Sequence, residues 1–594
     1  MRVFVALLCA SLLLGCGGGM PSYSALPQTT STLATQYTNP LRITVPSGGT
    51  VESCPDPSII RGQSQGDDHW YLYCTNDRFS DGGGVHFITI SISKDLVNWA
   101  YVGDVFKRRP DWVTSSGWLW APDIQYFNGK YYLYYTVSDT NYGVGGSAIF
   151  VATSDSPVGP WRASSTPVVE PSFSACCGVN NWTIDSNVVE DGGQRYIFFG
   201  TFWGGISARL LSSDGLSSYS STEVKIATSD RYEAPYIIKR NGYFYLLVSS
   251  GSCCNGPLSG YGVFAARATN ILGPYVDRDG HTLLEPRVGG TTVLAMNGDR
   301  WIGPGHNAVA TDAAGQDWMI YHAVDANKPY FAGSWTRRPP MLDRIDWIDG
   351  WPRVRGGAGP SDFLQAAPAF AANSQPGITV QPALIDAPGA LLGSLSDEFN
   401  SDVLGAQWSW IRPPQPTRYG LENGVLRFNT EAGFLYVNRA DASILGESAP
   451  SSDYMVELKF STNVPRSGSF NFAQAGLVLY KDDSNYLKLV SVAINNTRQI
   501  EFGKQMTPKS AEYPTYGSAF LASPEDDTYL RVVKRSISGT EIYTSYSSHD
   551  GINWERGAAW THNLGSGAKI GLVSMAGAGF SAYFDYVRVY SLAN

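Results

Sequence analysis

The chain has 594 residues, with 43 Lys and Arg against 52 Asp and Glu and a net charge of −9 at pH 7. Only 16% of residues are charged while 13% are aromatic, and 63 Gly and 34 Pro punctuate the sequence, which excludes a disordered polyelectrolyte and describes a turn-rich globular protein of at least two domains. The acidic balance, without any basic run, excludes a nucleic-acid footprint.

Arg2 followed by the apolar run Val3 to Leu14 reads as an export leader, too short to span a membrane. Leu13-Leu14-Gly15-Cys16 resembles a bacterial lipoprotein processing site. Residues 1–16 are therefore expected to be a signal peptide with Cys16 as the lipidated N-terminus, anchored in the cell envelope; the alternative is an ordinary signal peptide and a secreted product. Residues 17–44, opening on Gly17-Gly18-Gly19 and rich in Pro, Ser and Thr, are expected to be a flexible tether. Export to an oxidising compartment makes the six later cysteines candidates for disulfides.

From residue 45 a short pattern echoes five times. Aromatic strands are predicted at Trp70-Tyr71-Leu72-Tyr73, Tyr131-Tyr132-Leu133-Tyr134, Arg195-Tyr196-Ile197-Phe198, Tyr243-Phe244-Tyr245-Leu246 and Asp317-Trp318-Met319-Ile320. Each follows a turn and an earlier apolar strand, and those earlier strands open on Asp56, Asp123, Asp185, Glu233 and His306. Radial repetition of four-stranded units predicts an all-β fold, a five-bladed β-propeller over residues 45–364. In such a fold the first strand of each blade lies nearest the axis, so the five polar openers are expected to converge at one end of it. By the same topology Cys54 and Cys74 bridge neighbouring strands of blade one. Cys176, Cys177, Cys253 and Cys254 fall on one face of blades three and four, leaving cross-blade bridges, vicinal pairs and free thiols open.

Residues 365–390 are Ala, Pro and Gln-rich and read as a linker. Alternating strands then return at Tyr454–Phe460, Ala475–Tyr480, Tyr486–Val490 and Tyr583–Tyr590, predicting a β-sandwich over residues 391–594.

A ring of acids at an axial funnel suits glycosidic bond hydrolysis. That reaction needs a protonated carboxylic acid for the leaving oxygen and an ionised carboxylate for water or carbon, with a third carboxylate raising the acid's pKa. Aromatic rims suit sugar rings, whose apolar faces stack on Trp and Tyr. The segments Cys54-Pro55-Asp56-Pro57-Ser58-Ile59-Ile60, Ser93-Lys94-Asp95-Leu96-Val97-Asn98-Trp99, Leu119-Trp120-Ala121-Pro122-Asp123-Ile124, Thr183-Ile184-Asp185-Ser186-Asn187 and Tyr232-Glu233-Ala234-Pro235-Tyr236-Ile237 resemble glycoside hydrolase family 43, in family order. The resemblance implies an inverting enzyme with Asp56 as general base, Glu233 as general acid and Asp185 as the residue that raises and orients the acid. Asp123 matches a motif position outside that triad, substrate-facing or structural; Trp120 and Trp203 are sugar-stacking candidates, against a blade-packing role.

Gly200-Thr201-Phe202-Trp203-Gly204-Gly205-Ile206 and Gly303-Pro304-Gly305-His306-Asn307 look like the arabinan-cleaving branch, where the residue matching His306 helps hold Ca²⁺ mostly through water. The expected substrate is an arabinose-containing plant cell-wall polysaccharide, best α-1,5-L-arabinan. The runner-up is exo-acting arabinofuranosidase or β-xylosidase activity. Ser396-Asp397-Glu398-Phe399 and Asp550-Gly551-Ile552-Asn553-Trp554 favour the runner-up, resembling the concanavalin-like C-terminal domain of family xylosidases and arabinofuranosidases. There Asp397, Glu398 and Asp585 are a candidate structural Ca²⁺ set, against simple turn capping. A non-catalytic glycan-binding protein would show a damaged triad, and a retaining fructan enzyme would use the first-blade Asp as nucleophile.

Overall fold

The computed structural model describes residues 33–46, 48–78, 84–172, 182–331, 335–372, 386–511 and 513–593. The leader, Cys16 and the Cys176-Cys177 pair lie outside these residues.

Five four-stranded antiparallel blades form the propeller. Their innermost strands are Ser58–Arg61, Leu119–Phe127, Asn187–Asp191, Glu233–Arg240 and Trp301–Thr311. The predicted aromatic segments are the second strands: Trp70–Cys74, Lys130–Thr140, Gln194–Thr201, Tyr243–Ser250 and Asp317–Asp325. Their apolar residues are buried on both faces, between adjacent blades, as in the cluster of Tyr71, Tyr73, Leu133, Tyr135 and Phe150 between blades one and two. A strand buried on both faces needs a near-continuous hydrophobic run rather than alternation.

Successive blades are also stitched by one register position on the innermost strand. Ser58 Oγ accepts the Ile124 N–H at 3.0 Å, the Asp123 carboxylate accepts the Val188 N–H at 2.8 Å, and Asn187 Oδ1 accepts the Ile237 N–H at 2.9 Å. Tyr236 continues the series by donating its hydroxyl to the Val309 carbonyl at 3.3 Å.

Two domain boundaries differ from the sequence reading. The expected tether becomes structured before residue 44: Gln36–Tyr37 pairs with Gln365–Ala366, and Arg42–Thr44 runs parallel to Asn98–Phe106 as an extra strand of blade one. Tyr37, Leu41 and Ile43 are buried, and the Asn39 amide donates to the Leu342 carbonyl and the Asp343 carboxylate, so this segment clamps blade five to blade one. The expected linker likewise begins as part of the propeller, with Ala367 and Ala369 buried. Apolar residues scattered through a Pro- and Ser-rich stretch gave no periodic signal, yet Tyr37, Leu41, Ile43, Ala367 and Ala369 fill sites on the propeller wall.

The C-terminal domain is a β-sandwich of an eight-stranded and a seven-stranded sheet, whose facing sides bury Val456, Leu458, Phe584, Leu477, Leu489 and Leu572. The same core takes in Leu258, Met296, Ile302 and Val324 of the propeller, so the two domains share one apolar cluster. Gly260 permits the closest approach, because a Cβ there would collide with the Ser518 carbonyl. Asp397, Glu398 and Asp585 do not converge. Asp397 accepts the Phe399 N–H and Trp408 Nε1–H, Glu398 pairs with Arg588 through both oxygens, and Asp585 pairs with Lys459.

Candidate active site

Each innermost strand carries, just before it or within it, a residue of left-handed backbone: Asp56 (φ 52°), Ala121 (43°), Asp185 (58°), Ala234 (53°) and His306 (48°). Non-glycine residues rarely adopt this conformation, and its repetition at equivalent positions marks a local demand of the fold. A sharp turn of the chain at the axis is the result. Four of the five N–H groups are taken by the side chain closing the second strand of the preceding blade. Thr75 Oγ1 accepts from Ala121 at 2.7 Å, Thr136 Oγ1 from Asp185 at 3.1 Å, Ser249 Oγ from His306 at 3.0 Å, and His322 Nδ1 from Asp56 at 3.3 Å. In blade three the corresponding register position is Gly200, where a Cβ would collide with the Gly205 carbonyl, and the N–H of Ala234 is held instead by the Asp185 carboxylate. This break in the fivefold pattern ties Asp185 to the residue next to Glu233.

Four of the five polar openers, Asp56, Asp185, Glu233 and His306, line one cavity of about 480 Å³ together with Trp120, Trp182, Trp203, Tyr261 and Arg338. Asp123 does not. It sits two residues past the left-handed position, which in blade two is Ala121, and is therefore the counterpart of Ser58 and Asn187 rather than of Asp56 and Asp185. Its carboxylate is spent on Val188 and Asn187 of blade three, and burial pushes it up to about 7 despite those donors.

Asp56 is surrounded by one cation, two imidazoles and a hydroxyl donor. Arg338 Nη1 lies 2.9 Å from Oδ1, the Thr75 hydroxyl donates to Oδ2 at 2.6 Å, and His306 Nδ1 is 3.3 Å from Oδ1. Burial works to raise this carboxyl, but Arg338, then His306 and His322, then the Thr75 hydroxyl outweigh it and hold it well below the usual carboxylate range. Among the described residues no cation pairs directly with Glu233, on which Arg338 acts only from a distance: Tyr261 donates to Oε1 at 2.6 Å and Thr201 to Oε2 at 3.2 Å. Burial pushes Glu233 up, and burial with the neighbouring Glu233 charge pushes Asp185 well above its ordinary value. The Asp185–Glu233 pair thus keeps a proton that Asp56 gives up. Gly305 belongs to this arrangement, since a Cβ there would enter the Tyr261 ring.

Trp120 and Trp182 stack with ring centroids 6.3 Å apart, Trp203 stands 54% exposed at the rim, and the disulfide Cys253–Cys254 forms part of the wall. Cys54–Cys74 is also bonded, as the strand topology predicts, while Cys253–Cys254 takes the vicinal alternative. Two further spaces open off the cavity. One of about 280 Å³ shares Trp120, Cys254 and Arg338 and is flanked by Trp118 and Trp335. The other, about 320 Å³, shares Phe202 and Glu233 and is walled by Tyr436, Tyr516 and Phe520 of the sandwich. A cleft with room on both sides of an ionised and a protonated carboxyl group, faced with indole rings, is chemically equipped to bind a sugar chain and cleave an acetal.

Arg338, Tyr261, Thr201 and Trp182 were not singled out from sequence. Arg337-Arg338 before Pro339-Pro340 is a paired cation in a chain of low charge, which was the available signal for Arg338. As for metals, Ca²⁺ takes six to eight oxygens. His306 offers one nitrogen, and Asp56 beside it is already engaged by Arg338. Asn307 and His322 Nε2 are buried near it without protein partners, which marks a polar axis for water. The residues fit a Ca²⁺ ion held by His306 with a water shell, and do not fit a dehydrated one.

Residues 50–352 match the family model for glycosyl hydrolases family 43, and residues 396–590 match that for the beta xylosidase C-terminal concanavalin A-like domain. The extracellular endo-alpha-(1->5)-L-arabinanase 1 of Bacillus subtilis (strain 168) is 33% identical over 317 residues, covering 51% of this chain and 88% of that protein. The extracellular exo-alpha-(1->5)-L-arabinofuranosidase ArbA of Cellvibrio japonicus is 32% identical over 310 residues, covering 48% of this chain and 83% of that protein. Among solved structures, the Cellvibrio cellulosa alpha-L-arabinanase aligns with 31% identity and a TM-score of 0.43 over 51% of this chain and 95% of that chain.

Proposed function

The chain belongs to glycosyl hydrolases family 43, and on that premise we propose that it hydrolyses α-1,5-linked L-arabinan with inversion at the anomeric carbon. Arabinan-cleaving relatives at 33% and 32% identity support the substrate. The observation that carries the mechanism is the contrast between Asp56, ringed by Arg338, Thr75 and His306, and Glu233, ringed by hydroxyls and Asp185.

Asp56, ionised, takes a proton from a water as that water's oxygen attacks the anomeric carbon. Glu233 delivers its proton to the glycosidic oxygen as the carbon–oxygen bond breaks. The products are a hemiacetal of inverted configuration and a free hydroxyl on the leaving sugar; exchange with solvent returns the proton from Asp56 to Glu233. Inversion calls for carboxyl groups about 6.5–9.5 Å apart, with water between them. Asp185, through the Ala234 N–H, positions the acid and, as its like-charged neighbour, holds a proton in common with it. Trp120, Trp182 and Trp203 provide faces on which furanose rings stack, and Asp123 serves the fold. His306 is the residue that would hold a hydrated Ca²⁺, whose charge would steady the ionised Asp56.

We further propose export, with Cys16 as a lipid anchor; the word extracellular in the names of both relatives supports export. A second reading, exo-acting arabinofuranosidase or β-xylosidase, is favoured by the sandwich residues Tyr436, Tyr516 and Phe520 that wall the cleft beyond Glu233.

Product analysis on linear arabinan, branched arabinan and xylo-oligosaccharides, with the anomer followed by NMR, tests the proposal. Arabino-oligosaccharides or arabinose from linear arabinan, first released as the inverted anomer, are expected. Release only of side-chain arabinose or of xylose supports the second reading, and a retained anomer overturns the mechanism.

A further inference from the structure

Away from the cleft, the interface between propeller and sandwich brings two histidines onto one carboxylate oxygen. His281 comes from the loop between Gly262–Ala268 and Thr291–Leu294 of blade four, Glu525 from the sandwich loop before Asp527–Ile537, and His549 from the end of Thr540–Ser548. His281 Nε2 lies 2.8 Å and His549 Nδ1 2.9 Å from Glu525 Oε1, and the three ligand atoms all fall within 4.8 Å of one another. Zinc–nitrogen and zinc–oxygen bonds of about 2.0–2.2 Å set adjacent ligand atoms roughly 2.9–3.5 Å apart, so the cluster is already close to ligand spacing.

The outer nitrogens are backed in the way metal-bound imidazoles usually are. His549 Nε2 meets Asp279 Oδ2 at 3.2 Å and His281 Nδ1 meets Glu285 Oε2 at 3.4 Å. Arg287 holds the other oxygen of Glu525 at 3.0 Å, leaving Oε1 to act alone, and Asp277 fixes the loop by accepting the His281 N–H at 2.9 Å. All four ring nitrogens therefore face carboxylate oxygens. Hydrogen bonding can satisfy that only with both rings doubly protonated, although they stack with centroids 5.6 Å apart. One divalent cation between two neutral rings carries the same charge, keeps both outer N–H donors and removes the repulsion. Partial exposure of His281, Glu525 and His549 (21%, 24% and 28%) leaves a fourth position for water.

We propose that His281, Glu525 and His549 form a binding site for a borderline divalent cation, Zn²⁺ by its preference for imidazole and carboxylate ligands, that pins the sandwich onto blade four. Asp279 and Glu285 act as positioning residues. The site is independent of His306.

The test uses the untagged full-length protein, stripped with chelator and kept in excess Ca²⁺. Zn²⁺ titration by calorimetry should give one site per chain, weakened at least 100-fold in His281→Ala and His549→Ala. Asp279→Asn and Glu285→Gln, which leave the ligands in place, should weaken it 10- to 100-fold. X-ray absorption on the zinc-loaded wild type should report two imidazole nitrogens in the first shell, a reading that does not depend on any variant folding. Absence of Zn²⁺ binding, binding unchanged in His281→Ala and His549→Ala, or a first shell without imidazole would overturn the proposal and leave the pair as a protonated interdomain latch.

Discussion

Asp56 and Glu233 are buried at the same cavity, on turns of one repeated motif in blades one and four, and their surroundings drive them in opposite directions. At the seam of blades five and one, Arg338, His306 and His322 converge on Asp56. At the seam of blades three and four, Glu233 meets two hydroxyls and shares its surroundings with Asp185. The left-handed turn recurs at both seams, but Asp56 occupies it whereas Glu233 stands one residue before it, at Ala234, and the side chains gathered around the two acids differ. The proposed division of labour between base and acid thus rests on what the seams bring to the two carboxyl groups.

The largest effect should follow from removing the base. Asp56→Asn keeps the shape and the Thr75 contact but has no place for the water's proton, and should lower kcat on linear arabinan by about 10⁴-fold with an unchanged circular dichroism spectrum. Next comes the seam's cation. Arg338→Met leaves the buried Asp56 without its strongest partner, at a cost of about 3–5 kcal/mol in stability, read by chemical unfolding, and a kcat loss of at least ten-fold. Arg338→Lys should recover part of both.

Two smaller changes act on the acid with opposite signs. Asp185 and Glu233 are like-charged neighbours that hold a proton between them, so Asp185→Asn removes that repulsion from Glu233 and should move the alkaline limb of kcat/KM to lower pH, by on the order of one unit. The Tyr261 hydroxyl stabilises ionised Glu233, so Tyr261→Phe should move the same limb to higher pH while changing kcat only a few-fold.

Four of the five openers and all five aromatic second strands were legible in the sequence because inner strands buried on both faces must be apolar and must start at the axis. Asp123 was read with the wrong counterparts for a physical reason: an acid two residues past the left-handed turn looks like an opener, but it points to the next blade instead of the cavity. Only backbone conformation separates Ala121 from Asp56 and Asp185 as the equivalent position. Arg338 is supplied across blades, from 282 residues away, and Tyr261 from just before the third strand of Glu233's own blade; no local pattern announces either. The packed segment at residues 36–44 escaped notice because its role is closure of the ring, which involves strands more than 300 residues distant.

The central claim is that Asp56 acts on water and Glu233 on the leaving oxygen. Its most direct test is the leaving-group dependence of Asp56→Asn and Glu233→Gln on a series of aryl α-1,5-arabinobiosides. The account predicts that Glu233→Gln approaches wild-type rates as the phenol becomes more acidic, giving a steep plot, while Asp56→Asn stays uniformly slow with the wild-type slope. A steep plot for Asp56→Asn and a flat one for Glu233→Gln would contradict it.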